Sequence, residues 1–228
     1  MVAIIPARGQ SKRIAKKNIK DFLGFPIISY PIKILLDTSM FDEVMVSTED
    51  IKIANTAKQF SANVPFLRSK KTSDDFTGIV DVIMEVLDCY SKSSYTFEYG
   101  CCILPTAVCI TTEMLKKAFN IFINKNYDSL FPIVQFSYPP QRGLYVKENK
   151  IEMLDITAYE KRSQDFEPIY HDAGQFYFFK VDALTKYKKM FMKNSGAVIY
   201  KETEVQDIDN LEDWKLAELK YQLLNNMR

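Results

Sequence analysis

The sequence predicts an α/β domain in which a mostly parallel sheet is flanked by helices. Short apolar runs alternate along the chain with longer stretches whose apolar positions recur at helical spacing, the order that builds a parallel sheet covered by helices. The first run, VAII at residues 2–5, is apolar and largely β-branched, as a strand buried on both faces must be. With 228 residues, 47% of them hydrophobic and 26% charged, the chain can fill and solvate one large core, so a single domain over 1–228 is expected.

Taken in order, Pro6 stops the first strand, and further strands are expected at residues 43–47, 101–104, 129–134 and 175–179. Pro26 suits the first position of a helix over 27–36. Asp50 is placed to cap a helix over 51–60, and Thr111 or Thr112 to cap one over 113–124. Residues 75–90 carry Ile79, Val82, Ile83, Val86 and Leu87 on one helical face, which ordinary core packing explains. Asn210, with Asp213 three residues on, resembles a capping box that opens a last helix reaching about residue 224.

Residues 138–170 break this rhythm. They hold Pro139, Pro140, Arg142 and Pro168 among several charges, with only short apolar patches. An excursion of this length in a compact domain is functional, disordered or used for oligomer contacts. Tyr159, Phe166, Tyr170 and the run Phe176, Tyr177, Phe178 and Phe179 are expected in the core or at a subunit interface rather than in a ligand cage.

Composition removes several function classes. A formal net charge of +1 lacks the basic excess of a nucleic-acid binder, and no helix-turn-helix or aromatic RNA platform is present. Cys89, Cys101, Cys102 and Cys109 form no CxxC pair and have no histidine nearby, which argues against zinc. No run of about 18 apolar residues is present and the N-terminus does not read as a signal peptide. A cytoplasmic protein with reduced thiols and no membrane partner is therefore expected.

The positive charge is concentrated instead. The first twenty residues hold six basic side chains and no acidic one, five of them in ARGQSKRIAKKN directly after the first strand. Gly9 allows close backbone approach, Ser11 offers a hydroxyl, and Arg8, Lys12, Arg13, Lys16 and Lys17 can neutralise phosphate oxygens. Neither a Walker A loop nor GxGxxG is present, so this glycine-poor loop must rely on side chains more than on backbone amides. A solvated basic turn is the plain alternative. Near the C-terminus, VQDIDNLEDW places Asp207 and Asp209 two apart, so that on an extended strand both carboxylates face one side and can hold a hard divalent cation. The same pair also suits a solvated strand end or a helix N-cap. A cationic loop and an acidic pair together are the two halves of a nucleotidyltransfer site.

The opening AIIPARGQSKRIAKKNIKDFLGFPIISYPI resembles the start of the CMP-sialic acid synthetase family, whose signature runs roughly ARxxSKxxxxKN, then G-x-P and a helix. FDEVMVSTED, VPFLR followed by SDDFTG, RSQDFEPIYHDAGQFY and VQDIDNLEDW are similar to the pseudaminic acid branch of that family, and the match spans nearly the whole chain. The resemblance implies a Rossmann-like, GT-A-like nucleotidyltransferase fold. It further implies transfer of CMP from CTP to the anomeric hydroxyl of a nonulosonic acid, with Mg2+ as cofactor and pyrophosphate as product.

By position, the resemblance assigns Arg8, Ser11, Lys12, Lys17 and Asn18 to CTP binding, with Lys12 at the α-phosphate, Arg8 at the other phosphates and Asn18 on the nucleoside. Asp74, Asp75 and Thr77 fall in a further nucleotide-side segment, and Asp207 and Asp209 match the metal pair. Arg142 and Arg162 match cations directed at the sugar acid, and His171, Asp172, Gly174 and Gln175 lie in the sugar-side motif. Lys12, Arg8 and Asp209 are the catalytic candidates. His171, the single histidine, is a candidate base or a structural hydrogen-bonder, and the base is alternatively Asp209 or a metal-activated hydroxyl. The excursion 138–170 corresponds to a dimerisation element, so a homodimer is expected.

The departures from the family pattern are Gln10 for glycine, Ala15 for proline, Phe76 for histidine and Leu104 for glutamine, with no second proline in LPTAVCI. Leu104 argues against N-acetylneuraminate as substrate. A legionaminic or other sialic-like acid remains the alternative substrate, and a catalytically silent nucleotide-sugar binding protein the alternative class.

Overall fold

The computed structural model describes residues 1–226. Its main sheet has the strand order β4 (Glu43–Ser47), β1 (Val2–Pro6), β5 (Tyr99–Ile103), β10 (Phe176–Lys180), β6 (Ser129–Gln135) and β11 (Ser195–Tyr200). β1 runs parallel to β4 and β5, and β11 parallel to β6, while β10 is antiparallel to both of its neighbours. The short β9 (Tyr170–Asp172) also pairs with β6, antiparallel and in line with β10.

Alternation along β1 shows why the first run had to be apolar throughout. Ala3 and Ile5 face a core shared with α1 (Ser29–Thr38), α2 (Ile51–Gln59) and α4 (Thr112–Asn124). Val2 and Ile4 face the opposite core, against α3 (Ile79–Lys92) and α5 (Val181–Tyr187). All four are fully buried, and each buried branched side chain contributes about 1.5–3 kcal/mol. The chain leaves β1 toward β4 on one side and later returns to β5 on the other. The carboxyl end of β1 is thus a topological switch point, where open α/β sheets bind their ligands.

The capping expectations hold in detail. Asp50 accepts from the amides of Lys52 and Ile53 at 2.7 and 3.2 Å, and Thr111 accepts from Met114 at 3.1 Å. Asn210 accepts from Glu212 and Asp213 at 2.8 and 3.0 Å while Asp213 accepts from Asn210 at 2.9 Å, a reciprocal box opening α6 (Leu211–Asn226).

Other expectations change. Pro26 belongs to a two-strand hairpin, β2 (Asp21–Phe22) with β3 (Phe25–Pro26), and α1 starts only at Ser29. Residues 75–78 form a loop before α3 rather than its first turn. Asp207 and Asp209 lie on an irregular segment, not on a strand. Within 138–170 the chain builds the hairpin β7 (Leu144–Lys147) and β8 (Lys150–Met153), which pair only with each other. None of the four cysteines is in a disulfide, and burial pushes the Cys101 and Cys102 thiols up. Among the described residues no helix is long and apolar enough to cross a membrane.

Two glycines mark where ring and strand pack too closely for a side chain. A methyl on Gly100 would stand 2.3 Å from Cζ of Phe179, and one on Gly196 would stand 2.2 Å from Cδ2 of Tyr127. Gly100→Ala is therefore expected to lower stability by about 1–3 kcal/mol through overpacking of the central sheet. Chemical denaturation checks this, and an unchanged midpoint would contradict the packing described.

Candidate active site

The loop 7–18 leaves β1 at the switch point and folds over the end of the sheet. Two local contacts shape it. The amide of Gly9 donates to Oε1 of Glu49 at 2.7 Å, and a Cβ on Gly9 would stand 2.7 Å from Oδ2 of Asp50. Asn18, which is buried, donates Nδ2 to the carbonyl of Arg8 at 2.9 Å and ties the two ends of the loop together. Ile14 is buried with Phe22, Ile27, Ile208 and Trp214 in a separate apolar cluster. Apolar anchoring on one side leaves the basic side chains on the other.

Those side chains line an open cleft of about 600 Å³. Arg8, Ser11, Lys12, Lys17, Asn18, Asp75, Thr77, Asp207 and Asp209, read from the sequence as nucleotide or metal residues, all lie on its walls. The cleft is laced by ion pairs. Arg8 Nη1 lies 2.6 Å from Oδ1 of Asp75, Lys12 pairs with the other oxygen of the same carboxylate, and Arg13 Nη2 lies 2.6 Å from Oδ1 of Asp209. Lys17 donates to the carbonyl of Ile208 at 2.7 Å. Burial lowers the pKa of Lys17, against the opposing pull of Asp209 and Asp207. Burial also raises the pKa of Asp207, and the neighbouring Asp209 adds to the effect.

Arg68 completes the cleft and was not singled out from the sequence, although it stands in the VPFLR segment. It is only 8% exposed. Its Nε donates to Oγ of Ser47 at 3.0 Å, and Nη2 donates to the Ser47 carbonyl. Burial lowers its pKa, with Glu49 and Glu85 acting in the opposite sense. Glu85 holds the segment that follows, accepting from the amide and hydroxyl of Ser69 at 2.7 and 3.0 Å and from the Thr72 hydroxyl.

The sugar-side candidates lie elsewhere. Arg142 donates to Oγ of Ser163 at 3.1 Å and Arg162 pairs with Asp165 at 3.2 Å, both on the exposed excursion and neither among the residues lining the cleft. His171 is exposed on β9, its ring 4.8 Å from that of Phe136 and its Nδ1 2.8 Å from the carbonyl of Asp172. A carbonyl only accepts, so Nδ1 carries the proton in that contact. Asp172 accepts from Tyr177 at 2.7 Å and from the Gly174 amide at 2.9 Å.

Gly174 and Gln175 act on the acidic segment. Gly174 has φ +62°, and a Cβ there would stand 3.0 Å from Cγ of Asp207. Gln175 is fully buried, and its Nε2 donates to the carbonyls of Ala173, Gly174 and Gln206 at 2.9, 3.0 and 3.0 Å. The bulge between β9 and β10 is thus fastened to the residue preceding Asp207.

For a cation, the fit is that of a partial hard-ligand set. Among the described residues no group of three or more His, Cys, Asp or Glu side chains is assembled as a metal site. Asp207 and Asp209 supply two carboxylates in a cleft that Arg8, Lys12, Arg13, Lys17 and Arg68 also line. Magnesium characteristically takes one or two protein carboxylates and fills its octahedron with phosphate oxygens and water.

Comparison with known proteins agrees with this architecture. The family described as "Cytidylyltransferase" matches residues 2–225. A protein of Campylobacter jejuni subsp. jejuni serotype O:2 named pseudaminic acid cytidylyltransferase is 38% identical over 223 residues, covering 97% of this chain and 96% of its own. A Legionella pneumophila protein named CMP-N,N'-diacetyllegionaminic acid synthase is 28% identical, over 96% of this chain and 94% of its own. In fold, the structure of a CMP:2-keto-3-deoxy-manno-octonic acid synthetase complexed with CTP superposes with a TM-score of 0.70 at 15% identity, over 99% of this chain and 98% of that one.

Asp207 offers a test of the electrostatics independent of any activity. Its folded pKa is raised and its unfolded one is ordinary, so ionisation at neutral pH is penalised only in the native state. Asp207→Asn is expected to raise the denaturation midpoint in chelator-treated buffer at pH 7. The gain should fade as pH falls below the ordinary carboxylate range, where both states are protonated. A variant no more stable than the wild type at pH 7 would refute the assigned burial penalty.

Proposed function

Since the chain belongs to the cytidylyltransferase family of CTP-dependent nucleotidyltransferases, we propose that it transfers CMP from CTP to the anomeric hydroxyl of pseudaminic acid, giving CMP-pseudaminic acid and pyrophosphate in nonulosonic acid biosynthesis. The observation that carries the reading is the convergence of Arg8, Lys12, Lys17, Asp207 and Asp209 on one cleft. The 38% identity to a relative of that name, against 28% to the legionaminic acid synthase, supports pseudaminic acid as the sugar.

In this reading Lys12 meets the α-phosphate as charge builds there, and Arg8 takes the remaining phosphates, both through charge-assisted hydrogen bonds. Ser11 and Thr77 supply hydroxyl donors, and Asn18 and Lys17 close the nucleoside side of the cleft. Asp207 and Asp209 would hold Mg2+, which when bound neutralises phosphate charge and orients the reacting oxygens. Asp209 lies in the cleft and His171 does not line it, so Asp209 is the better placed of the two side chains to take the proton of the attacking hydroxyl.

The sugar acid needs a cationic partner for its carboxylate, and Arg142 and Arg162 are the candidates. Both sit on the excursion, whose hairpin exposes Leu144 (57%), Val146 (73%) and Ile151 (66%). A two-stranded apolar hairpin is too small to be stable in water alone, and exposed apolar surface of this kind marks an interaction site. We take it to pack against a second copy, forming a homodimer in which these arginines approach the partner's cleft. We place the reaction in the cytoplasm, a reading that the substrate chemistry and the unbridged cysteines support.

Pyrophosphate release with CTP and magnesium, compared across pseudaminic, legionaminic and N-acetylneuraminic acids, tests the reaction. Selective turnover of pseudaminate is expected. Turnover of another nonulosonic acid would overturn the sugar assignment, and silence with all three would leave a binding protein. Lys12→Ala should lower kcat/KM by about 10²–10³-fold, the usual loss for one oxyanion-type donor. Sedimentation should show a dimer that Val146→Asp disrupts, and a monomeric wild type at working concentration would contradict the assembly.

A further inference from the structure

One carboxylate bridges the two cations on which the proposed reaction depends most. Each oxygen of Asp75 is committed to a different partner, Oδ1 to Arg8 at 2.6 Å and Oδ2 to Lys12. Arg8 Nη1 also reaches the carbonyl of Asp74 at 3.3 Å. The loop carrying Asp75 is shaped from within, because the Asp74 side chain accepts from the amides of Phe76 and Thr77 at 3.0 and 2.7 Å and from the Thr77 hydroxyl at 2.6 Å. Nothing apolar pins its tip, where Phe76 is 95% exposed. Lys12 and Arg8 hold the Asp75 carboxyl below the usual range, so it is an anion at neutral pH.

A carboxylate with its two oxygens on two separate cations offers the same pattern as two non-bridging oxygens of a phosphoryl group. We propose that Asp75 is a built-in competitor for the phosphate-binding cations, so that any phosphoanion must exchange for it at Arg8 and Lys12. This deepens the cytidylyltransferase reading and rests on it. Competition of this kind weakens every phosphoanion by the same factor, as any unfavourable pre-equilibrium does. CTP retains its nucleoside contacts and still binds. Pyrophosphate, the leaving product, has only the phosphate contacts, and its hold on the cleft is the one that matters for turnover. Uniformly tight phosphate binding gives no gain in kcat, and Asp75 is placed to prevent it.

Calorimetric titration of inorganic pyrophosphate into the wild type, Asp75→Asn and Asp75→Glu tests the proposal, with Asp75→Ala as a second neutral variant. Loss of the competing charge should tighten pyrophosphate binding about fivefold, within the range of partly exposed ion pairs. The inhibition constant for pyrophosphate, extrapolated to low CTP, should fall to match, and Asp75→Glu should stay near the wild type. Binding that is unchanged or weaker in both neutral variants would overturn the proposal. Failure of the wild type to turn over CTP would instead strike at the cytidylyltransferase reading, while the titration would still decide whether Asp75 competes for these cations.

Discussion

Two charged segments that are far apart in sequence face each other across the cleft because each sends an isoleucine into the same apolar cluster. Ile14 comes from the basic loop and Ile208 from between the two aspartates, and both are buried against Phe22 and Trp214. Phe22 and Trp214 meet edge to face with centroids 5.5 Å apart, an arrangement that adds about 0.5–1.5 kcal/mol to the burial itself. The charges could not supply this constraint. Partly exposed ion pairs such as Arg13 with Asp209 are each worth little, whereas one fully buried isoleucine is worth about 1.5–3 kcal/mol. Hydrophobic anchoring fixes where the charges stand, and electrostatics then decides what they bind. The link between Lys17 and the carbonyl of Ile208, groups 191 positions apart, is the visible seam between these two effects.

The antiparallel β10 extends the same control to the other side of the cleft. An all-parallel sheet would have placed a crossover helix at this point. Instead, β9 and β10 run in line along β6, interrupted by the bulge at Ala173, Gly174 and Gln175. Gly174 takes a left-handed backbone conformation there, which glycine adopts without steric cost. Gln175 bonds the bulge to the carbonyl of Gln206, one residue before Asp207. The YHDAGQ motif therefore reaches the acidic pair through backbone geometry, and its glycine and glutamine hold the segment that carries Asp207.

The strands and caps were legible because each follows from a local rule. The run at residues 43–47 was read to the residue, as was the Asp50 cap, since burial on two faces and orphan amides at a helix start leave direct marks in sequence. Pro26 misled because φ near −65° suits an extended turn as well as a first helical position, and the β2–β3 hairpin claimed it. The edge strand β11 was not read from the sequence, although its run is apolar from Gly196 to Tyr200, with Ala197 and Ile199 exposed at alternate positions. Arg68 was missed for a different reason. Its place in the cleft comes from its bonds to Ser47, a tertiary contact that no spacing encodes. Asp207 and Asp209 were brought together by the fold, though on an irregular segment rather than on the strand that the spacing suggested.

The shape of the basic loop has a consequence for how the site discriminates. Phosphate loops built on glycine present backbone amides, which are fixed dipoles that no neighbouring carboxylate can quench by moving. Here Gly9 has already given its amide to Glu49, so in the proposed reading phosphate recognition falls to the side chains of Arg8, Lys12 and Lys17, whose charges can be shared. Side-chain cations can be engaged by internal carboxylates and released by exchange, as the pairs with Asp75 and Asp209 illustrate. A cleft of this kind grips according to the charge and reach of its ligand more than its shape. The price of such a grip is sensitivity to ionic strength. Its benefit is that holding and releasing a polyphosphate use the same few contacts, differing only in which anion occupies them.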